Sequence, residues 1–125
     1  MGKNVSVNCT SCHKEWKCRT GCGLSHALLQ DVTREFPYET GREIMKTAGG
    51  EVFPVFMFAY HTAVCGCCSN VVSVPVLEMP DRGIKYTGSC PVCGGKAQPV
   101  MNMEDVSCPA CGEKTLREEE TGLWD

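Results

Sequence analysis

The sequence has no long hydrophobic run, which argues against a membrane-spanning helix. No stretch of about eighteen consecutive apolar residues occurs, and the most apolar segment, 52–64, is interrupted by Pro54 and His61. The first residues, MGKNVSVN, lack the apolar region of a secretory signal. We therefore expect a cytoplasmic protein without a membrane partner, in a compartment where thiols stay reduced.

Recognisable catalytic motifs and an excess of positive charge are also missing. The sequence contains no Ser/His/Asp pattern, no HExxH motif and no phosphate-binding loop, so we expect that it is not an enzyme. The formal net charge is −3, and each site of four thiolates and one Zn²⁺ adds about −2. Because a negative chain is a poor general binder of nucleic acid, we expect a protein partner instead.

Cysteine, by contrast, is abundant, with 11 residues in a chain of 125. Strand-like stretches lead into CxxC turns that begin at Cys9, Cys65, Cys90 and Cys108. One CxxC turn supplies two thiolates, and tetrahedral zinc needs four sulfur ligands about 2.3 Å away. In a reducing compartment, paired CxxC turns favour metal ligation over disulfides. The pattern predicts two Zn²⁺ ions held by eight ligands: Cys9, Cys12, Cys65, Cys68, Cys90, Cys93, Cys108 and Cys111.

Proximity in the sequence predicts how these turns pair. The two C-terminal turns are separated by about one short hairpin, so they are predicted to form one site: Cys90, Cys93, Cys108 and Cys111. The turn at Cys9 is then predicted to pair with the turn at Cys65 across a long insertion. The alternative is a compact N-terminal site, with spacing similar to that of a zinc knuckle, built from Cys9, Cys12, Cys18 and Cys22.

Three cysteines are left over in the favoured pairing: Cys18, Cys22 and Cys67. We interpret them as small buried residues or exposed thiols. The alternatives are a redox pair of Cys18 and Cys22, or a third metal site that includes His13 or His26. The histidines, including His61, are interpreted as surface or packing residues.

The segments between the cysteines predict short strands with one helical insertion. Residues 55–64 and 71–77 are rich in β-branched residues and predict strands. Apolar spacing over 26–36 predicts a helix with Ser25 as its N-cap. Thr40 and Glu43 form a predicted capping box that opens a second helix, which Gly49 and Gly50 end.

These elements together predict an α+β fold of two zinc-ribbon (rubredoxin-like) modules with short antiparallel strands. The first module is predicted over 1–79, with a helical insertion at about 24–48. The segment EMPDRG (78–83) is the predicted linker. The second module and its tail are predicted over 84–125.

Six motifs match the layout of a known group: CTSC (9–12), GCG (21–23), CGCC (65–68), CPVCGGK (90–96), CPACG (108–112) and GLWD (122–125). In these motifs, spread over nearly the whole chain, the sequence resembles a family of small uncharacterised bacterial proteins, common in Firmicutes, with two zinc ribbons. The resemblance implies ligation by the same eight cysteines and points to no particular activity. Ser69, at a position usually occupied by glycine, and the extra thiols of Cys18 and Cys67 depart from the family pattern.

The predicted function is that of a structural zinc protein acting as a small interaction module. Four sulfur ligands at each site leave no open position for substrate or water. The helical insertion or Trp124 is predicted to carry partner recognition. One alternative is binding of RNA or single-stranded nucleic acid by basic residues around an aromatic ring: Lys14, Lys17, Arg19 and Trp16. Thiol redox chemistry and zinc sensing are further alternatives.

Overall fold

The structure, a computed structural model, describes residues 2–23, 26–50 and 54–124. It is an α+β fold with two antiparallel sheets and two short α-helices. The strands are β1 (Gly2–Cys9), β2 (Glu15–Thr20), β3 (Met57–Cys65), β4 (Asn70–Met79), β5 (Ile84–Thr87), β6 (Ala97–Pro99) and β7 (Leu116–Trp124). The helices are α1 (Leu29–Val32) and α2 (Tyr38–Ala48), with 3₁₀ turns at Thr33–Glu35, Pro80–Arg82 and Met103–Asp105. Within these described ranges, no helix is long and apolar enough to cross a membrane.

The first sheet brings together strands from opposite parts of the chain. β1 is its central strand and is antiparallel to β2 on one side and to β7 on the other. Val5 and Val7 of β1 are buried in one hydrophobic cluster with Leu116 of β7. The apolar alternation of β1 therefore gives this sheet a buried face, as expected for an antiparallel strand with one solvated side.

The second sheet has the strand order β5-β4-β3-β6. The predicted linker, 78–83, forms the end of β4 and a hairpin turn into β5, in which Gly83 has a left-handed backbone. β6 pairs with β3, and β7 pairs with β1. Each sheet therefore contains strands from both sides of the predicted linker.

Pro75 lies inside β4, although proline cannot donate a hydrogen bond to a neighbouring strand. The carbonyl of Pro75 accepts a hydrogen bond from the amide of Gly88, just beyond the end of β5 (2.8 Å). Because the amide and carbonyl of one strand residue point to the same side, the missing donor faces away from β3. The pairing of β4 with β3 therefore continues past Pro75.

The helical insertion packs against the second sheet. Ile44 and Ala48 of α2 are buried together with Phe58 and Leu77 of the sheet. Gly49, with a left-handed backbone, ends α2 as predicted.

The predicted capping box at Thr40 and Glu43 is wrong. Helix α2 begins at Tyr38, Pro37 is its N-cap, and no side chain caps the helix. Pro37 follows the 3₁₀ turn Thr33–Glu35 and the extended residue Phe36 and leads directly into the helix, so Thr40 is already in the first helical turn. Ser25, the predicted N-cap of the earlier helix, lies outside the described residues.

Candidate metal centres

The CxxC turns at Cys9, Cys90 and Cys108 are each closed by the same pair of backbone hydrogen bonds. The amide of Cys9 donates to the carbonyl of Lys14 (3.0 Å), and the amide of His13 donates to the carbonyl of Cys9 (2.9 Å). The turns at Cys90 and Cys108 have equivalent bonds, all of 2.8 Å. These bonds curl the backbone so that both sulfurs of one turn point to the same side.

The fifth residue of every turn has a left-handed backbone, with φ of 62° at His13, 56° at Ser69, 76° at Gly94 and 83° at Gly112. Glycine adopts this conformation without steric cost, whereas a side chain is strained there. The two C-terminal turns use glycine, and the two N-terminal turns use residues with a Cβ. The four turns are therefore one local structure repeated, with backbone strain in the two N-terminal copies.

The first centre consists of Cys9, Cys12, Cys108 and Cys111, whose four sulfurs lie within 4.8 Å of one another. The sulfurs of Cys9 and Cys111 are 3.5 Å apart, and those of Cys12 and Cys108 are 3.8 Å apart. Thr115 adds a hydroxyl group 3.1 Å from the Cys9 sulfur. The sequence gives no signal for the role of Thr115, because this residue, just before β7, reaches Cys9 only through the pairing of β7 with β1.

The second centre consists of Cys65, Cys68, Cys90 and Cys93, again within 4.8 Å of one another. The sulfurs of Cys65 and Cys93 are 3.5 Å apart, and those of Cys68 and Cys90 are 3.7 Å apart. In both centres the first cysteine of each turn is buried and the second is exposed or half-buried. Each centre therefore lies at the border between a hydrophobic core and the solvent.

The sulfur spacing fits a tetrahedral metal site. With metal–sulfur bonds of about 2.3 Å, the sulfurs at the corners of a tetrahedron are about 3.8 Å apart, close to the observed 3.5–3.8 Å. All eleven cysteines are free thiols, so no disulfide competes for these sulfurs. The two groups of four cysteines can each bind one metal ion.

The predicted pairing of the turns is wrong, because each N-terminal turn faces a C-terminal one. Strand pairing is the physical reason. β6, which follows Cys93, hydrogen-bonds to β3 at Cys65, whereas β7, which follows Cys111, hydrogen-bonds to β1 at Cys9. The chain between the two C-terminal turns crosses from one sheet to the other. The compact alternative that includes Cys18 and Cys22 is also wrong.

Two thiols, one in each centre, have a strongly lowered pKa. The amide of Cys12, and after it the hydroxyl of Thr115, lowers the pKa of Cys9 to about 6. The amide of Cys68 is the main cause that lowers the pKa of Cys65 to about 6. Hydrogen bonds to a sulfur favour its thiolate, so each centre contains one ligand that is readily deprotonated near neutral pH.

The thiols opposite them have a raised pKa. The amide of Glu113 favours the thiolate of Cys111, but lost hydration and the neighbouring thiol of Cys9 outweigh it and raise the pKa of Cys111 to about 12. The amide of Gly95 favours the thiolate of Cys93. The neighbouring thiol of Cys65 and the loss of hydration outweigh it and raise the pKa of Cys93 to about 12. Four crowded sulfurs resist full ionisation, and a divalent cation among them removes that resistance.

The three remaining cysteines belong to neither centre. Cys18 is buried, its thiol points to the carbonyl of Val71 (3.8 Å), and burial raises its pKa. Cys22 packs against a different hydrophobic cluster from Cys18. The predicted alternative of a redox pair would require these two thiols to meet, and the structure does not bring them together. Cys67 is exposed beside the second centre.

The histidines also lie outside the two groups of sulfurs. His13 is exposed in the first turn, and His61 is half-buried on β3. His26 is buried, accepts a hydrogen bond from the amide of Gly23 (3.0 Å) and contacts Glu35 (3.4 Å). Both ring nitrogens of His26 are therefore engaged by protein groups.

Trp16 is positioned for packing, not for stacking on a nucleic-acid base. It is 8 % exposed, packs in the cluster that contains Cys9 and Cys108, and donates from Nε1 to Oδ1 of Asn70 (3.1 Å). Lys14 lies above its ring, 5.4 Å from the centroid. The buried ring cannot receive a base in this conformation.

Comparisons with protein-family models, curated proteins and solved structures give no significant match.

Proposed function

We propose that this protein binds two structural zinc ions and acts as a small module for protein interaction. The observation that carries the proposal is the geometry of the two centres, each with four sulfurs within 4.8 Å. Four thiolates at tetrahedral spacing favour Zn²⁺ among common cellular metals. They also complete its coordination, so no position remains for substrate, as expected of a structural site.

The position of the centres supports a structural role. The first centre connects the β1–β2 turn to the start of β7, and the second connects the β3–β4 turn to β6. Each ion therefore closes the end of one sheet, where two otherwise independent loops meet. Structural zinc contributes on the order of 10 kcal/mol or more at neutral pH, so we expect folding to depend on the metal.

The helical insertion supports the interaction role. It exposes three large apolar side chains: Leu28 is 51 % exposed, Tyr38 is 78 % exposed and Met45 is 44 % exposed. A sheet held together by bound metal does not need these exposed residues for its own packing. Exposed aromatic and methionine side chains are enriched where proteins bind one another. We place partner recognition on this insertion rather than on Trp124, whose ring is packed against Tyr60.

The test of the metal assignment is the zinc content of the purified protein, measured by native mass spectrometry and elemental analysis. Two zinc ions per chain, and loss of the folded circular-dichroism signal when a strong chelator removes them, are the expected results. A folded protein that contains no zinc would overturn the proposal. For the interaction role, the double substitution Tyr38→Ser and Met45→Ser should keep both zinc ions and abolish partner capture.

A further inference from the structure

A groove of about 640 Å³ lies along one edge of β4. β5 covers that edge only at residues 76–79. Between Asn70 and Pro75, no strand of the described ranges pairs with β4 on this side. The groove is lined by β2 and by the loop 89–92.

Backbone polar groups of β4 point into this groove. The carbonyl of Pro75 faces the β5 side, because it accepts from the amide of Gly88. Alternate residues of a strand point their amide and carbonyl groups to the same side, so those of Ser73 and Val71 face the groove as well. The thiol of Cys18 contacts the carbonyl of Val71 (3.8 Å), in agreement with this orientation. Apart from the Val71 carbonyl, which the Cys18 thiol already contacts, this edge is not paired with any strand of the described ranges between Asn70 and Pro75, and an unpaired strand edge is a template for another strand.

The two sides of the groove differ in chemistry. On the β2 side, Lys17 and Arg19 line it, and neither makes an ion pair within the described ranges. On the loop side, Pro91 and Val92 line it, and Val92 is 64 % exposed. One side is thus basic and the other apolar.

Glu35, the one acidic residue among the described residues of the lining, already has partners. Its carboxylate accepts a hydrogen bond from the hydroxyl of Tyr60 and contacts the buried ring of His26. The guanidinium of Arg19 lies 4.1 Å from the centroid of the Tyr60 ring and 4.9 Å from that of Trp124, and Arg19 also lines the groove. The charge available to a ligand is therefore positive.

We propose that this groove binds an extended peptide segment of a partner protein as an added strand beside residues 71–73. Side chains of a strand alternate between its two faces, so acidic residues of the peptide face Lys17 and Arg19 while apolar residues face Pro91 and Val92. The ligand is a segment of alternating acidic and apolar residues. The inference rests on the proposed role as a protein-interaction module and gives that module a second contact surface, beside the exposed side chains of the helical insertion.

The experiment uses the zinc-loaded full chain and a fluorescein-labelled capped peptide, Glu-Val-Glu-Val-Glu. Two control peptides keep its length: Glu-Glu-Glu-Val-Val has the same composition without alternation, and Lys-Val-Lys-Val-Lys reverses the charge. Fluorescence polarisation gives the affinities. Amide hydrogen exchange, measured by NMR, shows whether the amides of Val71 and Ser73 become protected by an added strand.

Matched variants separate the groove from general charge effects. Lys17→Ala should weaken binding of the alternating peptide about twofold to fivefold, the range of an exposed ion pair. Val92→Ser should weaken it as well, because it removes apolar contact. Lys46→Ala, on the exposed face of α2, is the control with the same change in net charge and should leave the affinity unchanged.

Tighter binding of the alternating peptide than of both controls, with protection of Ser73, supports the proposal. Absence of binding at millimolar peptide, equal affinity for the non-alternating peptide, or binding without protection of residues 71–73 would overturn it. Tighter binding of a single-stranded RNA that protects the same amides would assign the groove to nucleic acid instead. Zinc is measured in the same samples: two zinc ions without peptide binding reject the groove alone, and fewer than two reject the metal assignment.

Discussion

The sulfur atoms of Cys9 and Cys111 lie 3.5 Å apart, although 102 positions separate the two residues in the sequence. The pair joins the end of β1 to the loop before β7, and those two strands are neighbours in the first sheet. The metal centre and the sheet therefore depend on the same long-range contact. Closing so long a loop costs considerable entropy, and a bound ion would offset that cost.

The pairing of the turns can be tested with double substitutions that distinguish the two arrangements. Cys12→Ser with Cys111→Ser affects only the first centre, so we expect one zinc ion to remain. Cys12→Ser with Cys68→Ser affects both centres, so we expect neither ion to bind stably. Native mass spectrometry gives the zinc count. Cys22→Ser is the control and should retain both ions. Loss of both ions in the Cys12/Cys111 variant and of only one in the Cys12/Cys68 variant would instead support the pairing predicted from sequence proximity.

The left-handed backbone of the turns predicts that a glycine-to-alanine substitution lowers the stability of the protein at some turn positions and not at others. Gly94 has φ of 76°, and a Cβ there would meet no atom within 4 Å, so Gly94→Ala adds only backbone strain. We expect it to destabilise the zinc-loaded protein by about 1–2 kcal/mol. Gly66→Ala, at an open position without a left-handed backbone, is the control. Denaturant unfolding measures both.

The reverse change, Ser69→Gly, relieves strain at a left-handed residue. Because glycine also makes the unfolded chain more flexible, we expect a gain of at most about 1 kcal/mol. Denaturant unfolding of the zinc-loaded variant is the measurement. A loss of stability would show that the Ser69 side chain makes a contribution larger than its backbone strain.

Acid should release metal from the first centre as its thiolates become protonated. The pKa of Cys9 is lowered from 9.0 to about 6, mainly by the amide of Cys12 and then by the hydroxyl of Thr115. A lowered pKa contributes stability that is complete above 9.0 and is lost as pH falls through about 6. A bound cation extends this limit to lower pH. A colorimetric zinc indicator can follow the release.

Thr115→Val removes the hydroxyl group beside the Cys9 sulfur and should raise the pKa of Cys9. We therefore expect zinc to leave the first centre at a pH higher by up to about one unit. Thr87→Val, an equivalent change at an exposed position on β5, is the control. Identical release curves for the two variants would show that the Thr115 hydroxyl does not stabilise the thiolate.

Trp124 should stabilise the fold through its packing. Its Nε1 donates to the carbonyl of Thr20 (3.1 Å), and Arg19 lies 4.9 Å from its ring centroid. We expect Trp124→Ala to cost about 2 kcal/mol, and the neighbouring exposed Leu123→Ala less than about 0.5 kcal/mol. Thermal unfolding compares them. Equal effects would mean that the tail contributes little to the folded state.

The amino-acid sequence by itself determined the local structures. The CxxC spacing identified the eight cysteines that the structure gathers into two groups, and the β-branched segments identified β3 and β4. These signals are local, because a tight turn and a strand are encoded within a few neighbouring residues. The prediction of the capping box failed for a local reason as well, since Pro37 is the N-cap and the helix begins at Tyr38, before Thr40.

Only the tertiary structure decided which turn faces which. All four turns have the same local geometry, so nothing within a turn specifies its partner. The choice depends on β1 pairing with β7 and β3 pairing with β6. Those pairings bring together strands that lie far apart in the sequence, and the order of the turns along the chain does not specify such long-range contacts. The edge of β4 at residues 71–73, which no strand of the described ranges pairs with, likewise became visible only in the tertiary structure.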